Sequence, residues 1–377
     1  MLSVPTLLRA PGCLRVPRPG SSFRAQGPVS SCGRASSTTK VRGSRLVPGN
    51  RRGTARRRTS PHATSPDGRT PPPTGRPPPP PQGPARAAPP GGSPRPPRAG
   101  VAAGAAGAPD AGVVTDEMVE CAVAMVEAAA GVTRRYFRTP VGVDHKGDDS
   151  PVTIADREAE DAMRRVLEER FPGHAVFGEE RPFKEGEGEG RRYVWVMDPI
   201  DGTKSFIIGK PLFGTLVSLT YDGRPVLGVI DQSVSRERWV GRAGHPTTLN
   251  GDPVRTRPCP ELRLAYLQST TPAMFEGALA PRYERLRSRV RIPMFGCDCY
   301  AYGLLALGLL DLVAEADLKP YDYMALVPVV EGAGGVMTDW EGRALAWSPY
   351  DGADFPGEVL AAGDPEAHRQ ALEALRA

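Results

Sequence analysis

The chain carries the sequence WVMDPIDGTKSF at Trp195–Phe206. Its first residues are apolar and of the β type, so they predict a short buried strand, Tyr193–Met197, that delivers Asp198 to its end. Proline cannot donate a hydrogen bond to a sheet ladder, and Pro199 is therefore expected to end the strand. The stretch predicts an acid at the edge of a sheet, followed by a tight turn.

Asp198 and Asp201 lie three residues apart across that turn, which lets both carboxylates converge on one point. Two carboxylates this close repel each other unless a proton or a cation lies between them. Oxygen ligands with room for water suit magnesium. Gly202 and Thr203 then open a turn or helix whose free backbone N–H groups can hold a phosphate oxygen. The alternative is an Asp-rich turn that only caps a helix.

Three further acids lie at the ends of predicted elements. Glu179 follows a short strand, Asp322 precedes an apolar helix predicted over 323–333, and Asp156 begins another helix. Each has an ordinary alternative when it is taken alone. These are a solvated acidic loop for Glu179, an N-cap for Asp322 and a partner of the helix dipole for Asp156.

Hydrophobic periodicity predicts mixed helices and strands along the rest of the chain. Thr115 is a candidate N-cap for a helix with apolar residues at helical spacing. The other predicted elements are a helix over 154–170, strands over 175–178, 213–221, 225–232 and 238–241, a helix over 299–310 and a strand over 312–316. This mixture predicts a layered α/β or α+β architecture.

Charge divides the chain into two parts. Residues 1–109 contain 18 Lys and Arg but a single acid, Asp67, whereas residues 110–377 contain 30 basic and 42 acidic residues, a net charge of −12. An acidic body that handles an anionic phosphate needs cations to do so. The charge balance therefore favours bound metals over a basic cleft.

The basic part has two compositions. Residues 1–66 are rich in Arg and Ser and free of acids, which is typical of an organelle transit peptide. Residues 67–109 are rich in Pro, Arg, Gly and Ala and are expected to form a disordered linker before a single domain over 110–377. The alternatives for the leader are a nucleic-acid-binding arm, for which Phe23 offers little base stacking, and a mis-assigned translation start.

The six cysteines form no C-x-x-C pair and no zinc-binding spacing, so we expect reduced thiols. No run approaches the ~20 apolar residues that span a bilayer. We therefore do not expect a membrane partner. Because the leader offers little base stacking, we do not expect a nucleic acid as a partner either.

These residues resemble the inositol monophosphatase family. Its first signature, D-P-x-D-G-T-x-x-F, is present at Asp198–Phe206, and its second, an Asp that begins a helix ending in Ala-Gly-Gly, matches Asp322–Gly335. The family's upstream glutamate matches Glu179, and its helix-start aspartate matches Asp156. The resemblance covers about residues 115–365. It implies the layered αβαβα fold of inositol and sugar phosphatases, commonly as a homodimer.

The resemblance also implies a site for two or three magnesium ions. One ion would be bound by Glu179, Asp198 and the Ile200 carbonyl, and a second by Asp198, Asp201 and Asp322. A looser third ion would lie near Glu179.

The implied catalytic set is Asp156, Thr203 and Glu179, of which Asp156 and Thr203 would orient the attacking water. The amides of Gly202 and Thr203 would hold the phosphate. Lys146 matches the family's active-site lysine and is included among the substrate-binding residues.

The substrate is suggested by departures from the inositol enzymes, which usually carry Trp-Asp in the second signature. Here Tyr321 precedes the aspartate, and the chain also carries FGCDCYAY at Phe295–Tyr302 and STTP at Ser269–Pro272. Together these stretches look like the histidinol-phosphate phosphatases of plants and bacteria. In plants that pathway lies in plastids, which agrees with the leader; the alternatives are a mitochondrial or cytoplasmic location.

Two further acids support this substrate. Asp298 falls where the inositol enzymes place a small residue, and Glu315 matches an acid that contacts the substrate. Two carboxylates suit histidinol, which carries an ammonium group and an imidazole. The alternatives are that Asp298 caps a helix and that Glu315 is merely exposed. The predicted function is magnesium-dependent histidinol-phosphate hydrolysis in histidine synthesis; the alternative is a phosphatase of the same family for inositol, sugar or nucleotide phosphates.

Overall fold

The computed structural model describes residues 113–147, 151–352 and 357–377. The predicted leader over 1–66 and linker over 67–109 lie outside the described residues. Within the described part, no helix is long and apolar enough to cross a bilayer.

Eight α-helices are present in the described residues. They are α1 Asp116–Tyr136, α2 Ile154–Arg170, α3 Thr203–Ile207, α4 Leu279–Arg287, α5 Tyr300–Ala306, α6 Pro320–Tyr323, α7 Leu326–Gly332 and α8 Pro365–Arg376. The predicted cap of α1 is confirmed, because the Thr115 side chain accepts a hydrogen bond from the Met118 amide.

Fourteen β-strands are described. They are β1 Val143–His145, β2 Pro151–Thr153, β3 Ala175–Gly178, β4 Tyr193–Asp201, β5 Gly214–Tyr221, β6 Arg224–Gln232, β7 Glu237–Arg242, β8 Thr248–Leu249, β9 Asp252–Pro253, β10 Tyr266–Ser269, β11 Ile292–Phe295, β12 Leu312–Glu315, β13 Val336–Thr338 and β14 Val359–Ala362.

The first large sheet has the strand order β3-β4-β5-β6-β7-β8-β9. Strands β3 and β4 are parallel, and the remaining neighbours are antiparallel. Successive residues of a strand face opposite sides of a sheet. On β4, Trp195 and Met197 accordingly pack with α1 and α2, while Val194 and Val196 pack with α5 and α7.

The second sheet has the order β11-β10-β12-β14-β13. One face, including Val313 and Ala361, completes the core that contains α5 and α7, and the other face, including Leu312 and Leu360, packs with α4 and α8. The layers are thus helix, sheet, helix, sheet, helix, and the predicted αβαβα fold is confirmed.

Three local predictions were wrong. Strand β4 does not end at Pro199 but continues to Asp201, because a bulge between Asp198 and Asp201 absorbs the proline. The helix expected over 323–333 is divided into α6 and α7. The helix expected over 299–310 ends at Ala306, and Gly308 with a φ of +70° turns the chain away.

Candidate metal centre

The predicted acids are brought to one end of the first sheet. Glu179 follows β3, and Asp198 and Asp201 lie at the end of β4, so the carboxyl ends of two parallel strands meet there. Asp322 lies in α6, and Asp156 lies in the first turn of α2. Residues far apart in the chain therefore converge because the two strands and the two helix N-termini point at the same place.

Three of these acids form the acidic cluster, defined as Asp198, Asp201 and Asp322. Each offers a carboxylate oxygen, and the three oxygens lie within 4.8 Å of one another. Burial, followed by repulsion from nearby carboxylates, raises the pKa of Asp198 and Asp201 well above the usual range and that of Asp322 to about 7. The charges of the protein alone do not balance the negative charge of these three carboxylates.

Nearby lysines do not supply the missing charge. Lys146 pairs with Glu179 and Glu180, and Lys319 pairs with Asp317. Within the three described ranges, no Lys or Arg forms an ion pair with the acidic cluster. Buried carboxylates need a proton, a paired cation or a metal, and an all-oxygen donor set suits Mg²⁺. The residues present therefore fit a magnesium ion.

Backbone and side-chain donors fix the β4 end of the cluster. The Ile200 amide donates to Asp198 Oδ1 at 2.9 Å, and the Cys299 amide donates to Asp201 Oδ2 at 2.5 Å. The Thr215 hydroxyl donates to the Pro199 carbonyl at 2.8 Å. Each of these two aspartates thus has one carboxylate oxygen held by a backbone amide.

Asp156 is a fully buried acid that serves α2 and the site together. Its Oδ2 accepts from the Thr153 amide at 2.8 Å and from the Thr153 hydroxyl at 2.6 Å. The bond from the Thr153 amide and the reciprocal bond from the Asp156 amide to the Thr153 side chain form a capping box. Its Oδ1 lies 3.3 Å from the hydroxyl of Thr203, whose single proton can be donated either there or to the Ile200 carbonyl at 3.1 Å. Burial raises the pKa of Asp156.

Glu179 lies next to Asp198 but outside the three-acid cluster. The Nζ atom of Lys146 is 2.6 Å from Glu179 Oε1 and 2.6 Å from Glu180 Oε1. Burial alone would lower the pKa of Lys146, but its bonds to these two glutamates outweigh burial and raise the pKa. The lysine therefore remains charged and is part of the site's wall.

The predicted phosphate-binding turn begins at Gly202, the N-cap of α3, with a φ of +89°. A Cβ atom there would lie 2.9 Å from Asp298 Oδ2, so this position needs glycine for both its conformation and its space. First-turn amides have no partner inside their helix, and those near Gly202 and Thr203 can face an anion.

Asp298 is directed toward Gly202 and Ser205 and does not cap α5. Its Oδ2 accepts from the Ser205 hydroxyl at 3.2 Å, whereas α5 has Cys299 as its N-cap and no side-chain capping bond. Burial raises the pKa of Asp298, while the Ser205 bond and the charges of Lys204 and Lys210 oppose that rise.

Glu315, at the end of β12, is only 3% exposed, so the alternative of an exposed acid is wrong. Its Oε1 accepts from the Thr270 amide at 2.9 Å, and its Oε2 accepts from the Tyr302 hydroxyl at 2.8 Å. Burial raises the pKa of Glu315 to about 7. Both oxygens thus accept hydrogen bonds from the protein, and the Asp298 carboxylate is close enough to repel that of Glu315.

Sequence reasoning missed several residues that hold the site together. They are Thr153, Ser205, Thr215, Cys299 and Tyr302. Cys299 lies 98 positions from the aspartate that it supports, and no local pattern marks such a pair. The side-by-side arrangement of Asp156 and Thr153 could have been found, because a Thr followed three residues later by an acid is a capping signal.

The fold and the site together define a class. Among the described residues, the three carboxylates of the acidic cluster have no Lys or Arg partner, and the glycine-capped start of α3 directly follows Asp201. This combination is suited to a divalent metal and a phosphate group at the same point.

Comparisons with known proteins identify the family. The sequence profile of the inositol monophosphatase family matches residues 114–377, and the chain belongs to that family. It is therefore a phosphatase that acts on phosphate monoesters, and the enzymes of this family use Mg²⁺.

Individual relatives carry two kinds of names. The chain is 51% identical over 253 residues to the bifunctional phosphatase IMPL2, chloroplastic, of Arabidopsis thaliana, covering 67% of this chain and 73% of that protein. It is 35% identical over 228 residues to the histidinol-phosphatase of Chlorobaculum parvum, covering 60% and 86%. A solved inositol monophosphatase from Zymomonas mobilis matches with a TM-score of 0.61 and 47% identity, covering 69% of this chain and 97% of that one.

Proposed function

We propose that this phosphatase hydrolyses histidinol phosphate to histidinol and phosphate in histidine synthesis. The observation that carries the proposal is Asp298, an acid beside the predicted phosphate-binding turn, with a second buried acid, Glu315, behind it. Two carboxylates favour a leaving group that carries an ammonium charge. The relatives from Chlorobaculum parvum and Arabidopsis thaliana are both named phosphatases, which supports this activity. The name histidinol-phosphatase of the Chlorobaculum parvum relative supports this substrate.

The proposed metal ligands form two main metal-binding positions. Glu179, Asp198 and the Ile200 carbonyl would hold one ion, and Asp198, Asp201 and Asp322 would hold another, with a third near Glu179. When bound, magnesium supplies positive charge that activates water and neutralises phosphate oxygens. Two of these ligands, Asp198 and Asp201, are already held by amide donors, so little reorganisation is needed on binding.

The proposed catalytic residues orient the attacking water. The hydroxyl of Thr203 can donate to Asp156 Oδ1, which lies 3.3 Å away, and its lone pairs then remain free to accept from water. Asp156 has a pKa raised by burial, which makes it a better proton acceptor than a surface aspartate. Glu179, which lies close to Asp198, completes this set.

Substrate binding is assigned to groups around the same point. The amides of Gly202 and Thr203 would hold the phosphate, and Lys146 would add positive charge at the wall of the site. Asp298 would contact the ammonium group of histidinol. Glu315 would contribute negative charge from behind and fix the Thr270 loop through its bond to the Thr270 amide.

Inositol monophosphate is the second candidate substrate. The structure from Zymomonas mobilis, at 47% identity, carries the name of an inositol monophosphatase, and the Arabidopsis relative is named bifunctional. Sugar or nucleotide phosphates would belong to the same alternative. The metal centre would bind the phosphate group of each of these substrates in the same way. Substrate specificity is therefore assigned to the residues around the leaving group.

The decisive experiment compares Mg²⁺-dependent phosphate release from histidinol phosphate and from inositol 1-phosphate. We expect kcat/KM to be higher for histidinol phosphate by at least about tenfold. We expect Asp298→Asn to lower that value far more for histidinol phosphate than for the neutral polyol ester. A preference for inositol phosphate, or equal losses on both esters, would contradict the substrate assignment and leave the metal centre unaffected.

The leader and the assembly are proposed on separate grounds. The acid-free composition of residues 1–66 and the word chloroplastic in the name of the Arabidopsis relative support a plastid location. A fluorescent fusion of residues 1–66 should enter plastids; mitochondrial or cytoplasmic signal would favour the alternatives. We also propose a homodimer of the domain over 110–377, which light scattering would test.

A further inference from the structure

The segment 346–352 follows a bridge between Ala344 and Thr338 of the second sheet and then contacts elements of the first. The Trp347 amide donates to the Gly223 carbonyl in the β5–β6 turn at 2.8 Å. The Gly186 amide donates to the Tyr350 hydroxyl at 3.1 Å. Two hydrogen bonds thus fix this segment, called the strap below, across elements that lie far from it in sequence.

The strap places an aromatic ring against β3, the strand that precedes Glu179. The ring centroid of Trp347 lies 4.5 Å from that of Phe177, and Phe177 in turn stacks on Tyr321 at 6.1 Å. Phe177 precedes Glu179 by two residues, and Tyr321 immediately precedes Asp322. One row of rings therefore joins the two segments that carry these acids.

The two segments need to be held together. The carboxylates of Glu179 and Asp322 repel each other across the site, and burial strengthens that repulsion because little water screens it. Contacts between aromatic rings stabilise packing beyond the effect of the area that they bury. The ring row thus opposes a separation that the charges favour.

We propose that Trp347 is a positioning residue for the metal centre, which keeps Phe177 against Tyr321 and so sets the spacing of Glu179 and Asp322. This proposal rests on the proposed ligand roles of the two acids. Metal ligands must be held within about 0.5 Å of their working positions, and groups that support ligands typically change metal affinity 10–100-fold when they are removed.

Trp347 differs from the other tryptophans of the domain. Trp195, Trp239 and Trp340 are fully buried within the core, whereas Trp347 is half-buried at the edge of a cluster. Its loss should therefore cost less stability than the loss of a core tryptophan. Its effect on the metal centre can be measured in a folded protein.

The test uses the full chain with Trp347→Leu, and Tyr193→Leu as a matched control. Tyr193 is a half-buried aromatic residue at the other end of β4, where it packs on His174 and Tyr221. Calorimetric titration with Mg²⁺ gives the affinity, and phosphate release from p-nitrophenyl phosphate gives kcat at saturating Mg²⁺.

We expect Trp347→Leu to weaken Mg²⁺ binding by about 10–100-fold, with kcat at saturating Mg²⁺ kept within about threefold of wild type. Trp347→Phe, which keeps a ring, should restore binding to within about threefold, and Tyr193→Leu should bind Mg²⁺ as wild type does. Phe177→Leu removes the same contact from the other side, together with the contact to Tyr321, and should weaken binding at least as much. It therefore decides the matter if Trp347→Leu does not fold.

The proposal is overturned if wild type and Trp347→Leu bind Mg²⁺ equally, or if Tyr193→Leu loses as much affinity as Trp347→Leu. Either result leaves the proposed metal ligands standing. Failure of the wild-type protein to bind Mg²⁺ at all would instead overturn those ligands, and the role of Trp347 with them.

Discussion

At the end of β4, Asp198 is 1% exposed and lies among other carboxylates, whereas Asp311, just before β12, is 2% exposed and lies against an arginine. Two nitrogens of Arg257 each bind an Asp311 oxygen at 2.7 Å, and the Tyr266 amide adds a third bond at 2.8 Å. Two equally buried aspartates thus differ in their surroundings. The charge of Asp311 is neutralised by Arg257, whereas the charge of Asp198 is repelled by the neighbouring carboxylates.

Three other buried carboxylates follow the Asp311 pattern. Glu160 pairs with Arg164, Asp231 with Arg238, and Asp339 with Arg343. Burying a charge is costly unless it is paired, so these arginines satisfy a requirement of the fold. Charge left unpaired at the acidic cluster indicates a functional site, because a ligand must supply what the protein omits.

The largest expected effect separates the two aspartates by activity. Asp198→Asn should lower kcat by about three orders of magnitude, the scale for loss of a preorganised electrostatic group. It should also raise the melting temperature of the metal-free protein, because one repelling charge is removed. Phosphate release and thermal unfolding in EDTA measure the two effects. A metal-free variant less stable than wild type would contradict this account of Asp198.

The reciprocal change at Asp311 should act on stability alone. Asp311→Asn removes an acceptor for Arg257 and is expected to cost about 3 kcal/mol, at the low end for a buried pair because Arg257 is partly exposed. Activity per folded molecule should stay within about threefold of wild type. Urea unfolding and kcat measured on the same preparation test this, and a large loss of kcat would remove the contrast between the two sites.

Metal removal sharpens the comparison in the wild-type protein. Mg²⁺ at a hundred times its dissociation constant should stabilise the fold by about 2.7 kcal/mol, or roughly 5–10 °C in melting temperature for a domain of this size. Asp198→Asn should lose most of this gain, and Asp311→Asn should keep it. Equal Mg²⁺ responses in the two variants would show that the ion binds elsewhere.

The smallest expected effect is on the pH dependence of the stability of the metal-free fold. Its sign differs between the acidic cluster and His368 in α8. Raised pKa values in the acidic cluster mean that the metal-free fold loses stability as pH rises through about 7. In α8, burial lowers the pKa of His368 to about 4, so its contribution is full above pH 6.5 and falls by about 2 kcal/mol by pH 5. Unfolding of metal-free protein between pH 5 and 8, with His368→Gln as the comparison, tests both slopes.

In that series, His368→Gln should reduce the loss on the acid side and leave the alkaline slope unchanged. The alkaline slope should instead disappear when Mg²⁺ is added to the wild-type protein. An alkaline slope that persists in saturating Mg²⁺ would assign it to groups outside the acidic cluster.

The sequence allowed the αβαβα fold and the acids Asp198, Asp201 and Asp322 to be predicted, because their signatures are local. Periodicity also predicted α2 with the bounds that the structure gives. The path of β4 through Pro199 could not be predicted, because a bulge depends on the partner strand β5. Spacing alone does not reveal such long-range pairing.

The support of the site was also beyond sequence reasoning. The bond from the Cys299 amide to Asp201 and the packing of Trp347 on Phe177 join residues 98 or more positions apart. Glu315 was expected as a substrate contact, yet nothing in its neighbours indicated the bonds that it makes with Thr270 and Tyr302. Such contacts follow from tertiary packing, which local patterns do not encode.

Anomalous diffraction at the manganese edge, from crystals soaked in Mn²⁺, tests most directly whether buried acids gather around a divalent cation. We expect a strong peak bound by carboxylate oxygens of Asp198, Asp201 and Asp322, and no peak beside Asp311. Diffraction that shows the three acids well ordered and no anomalous peak among them would contradict the account.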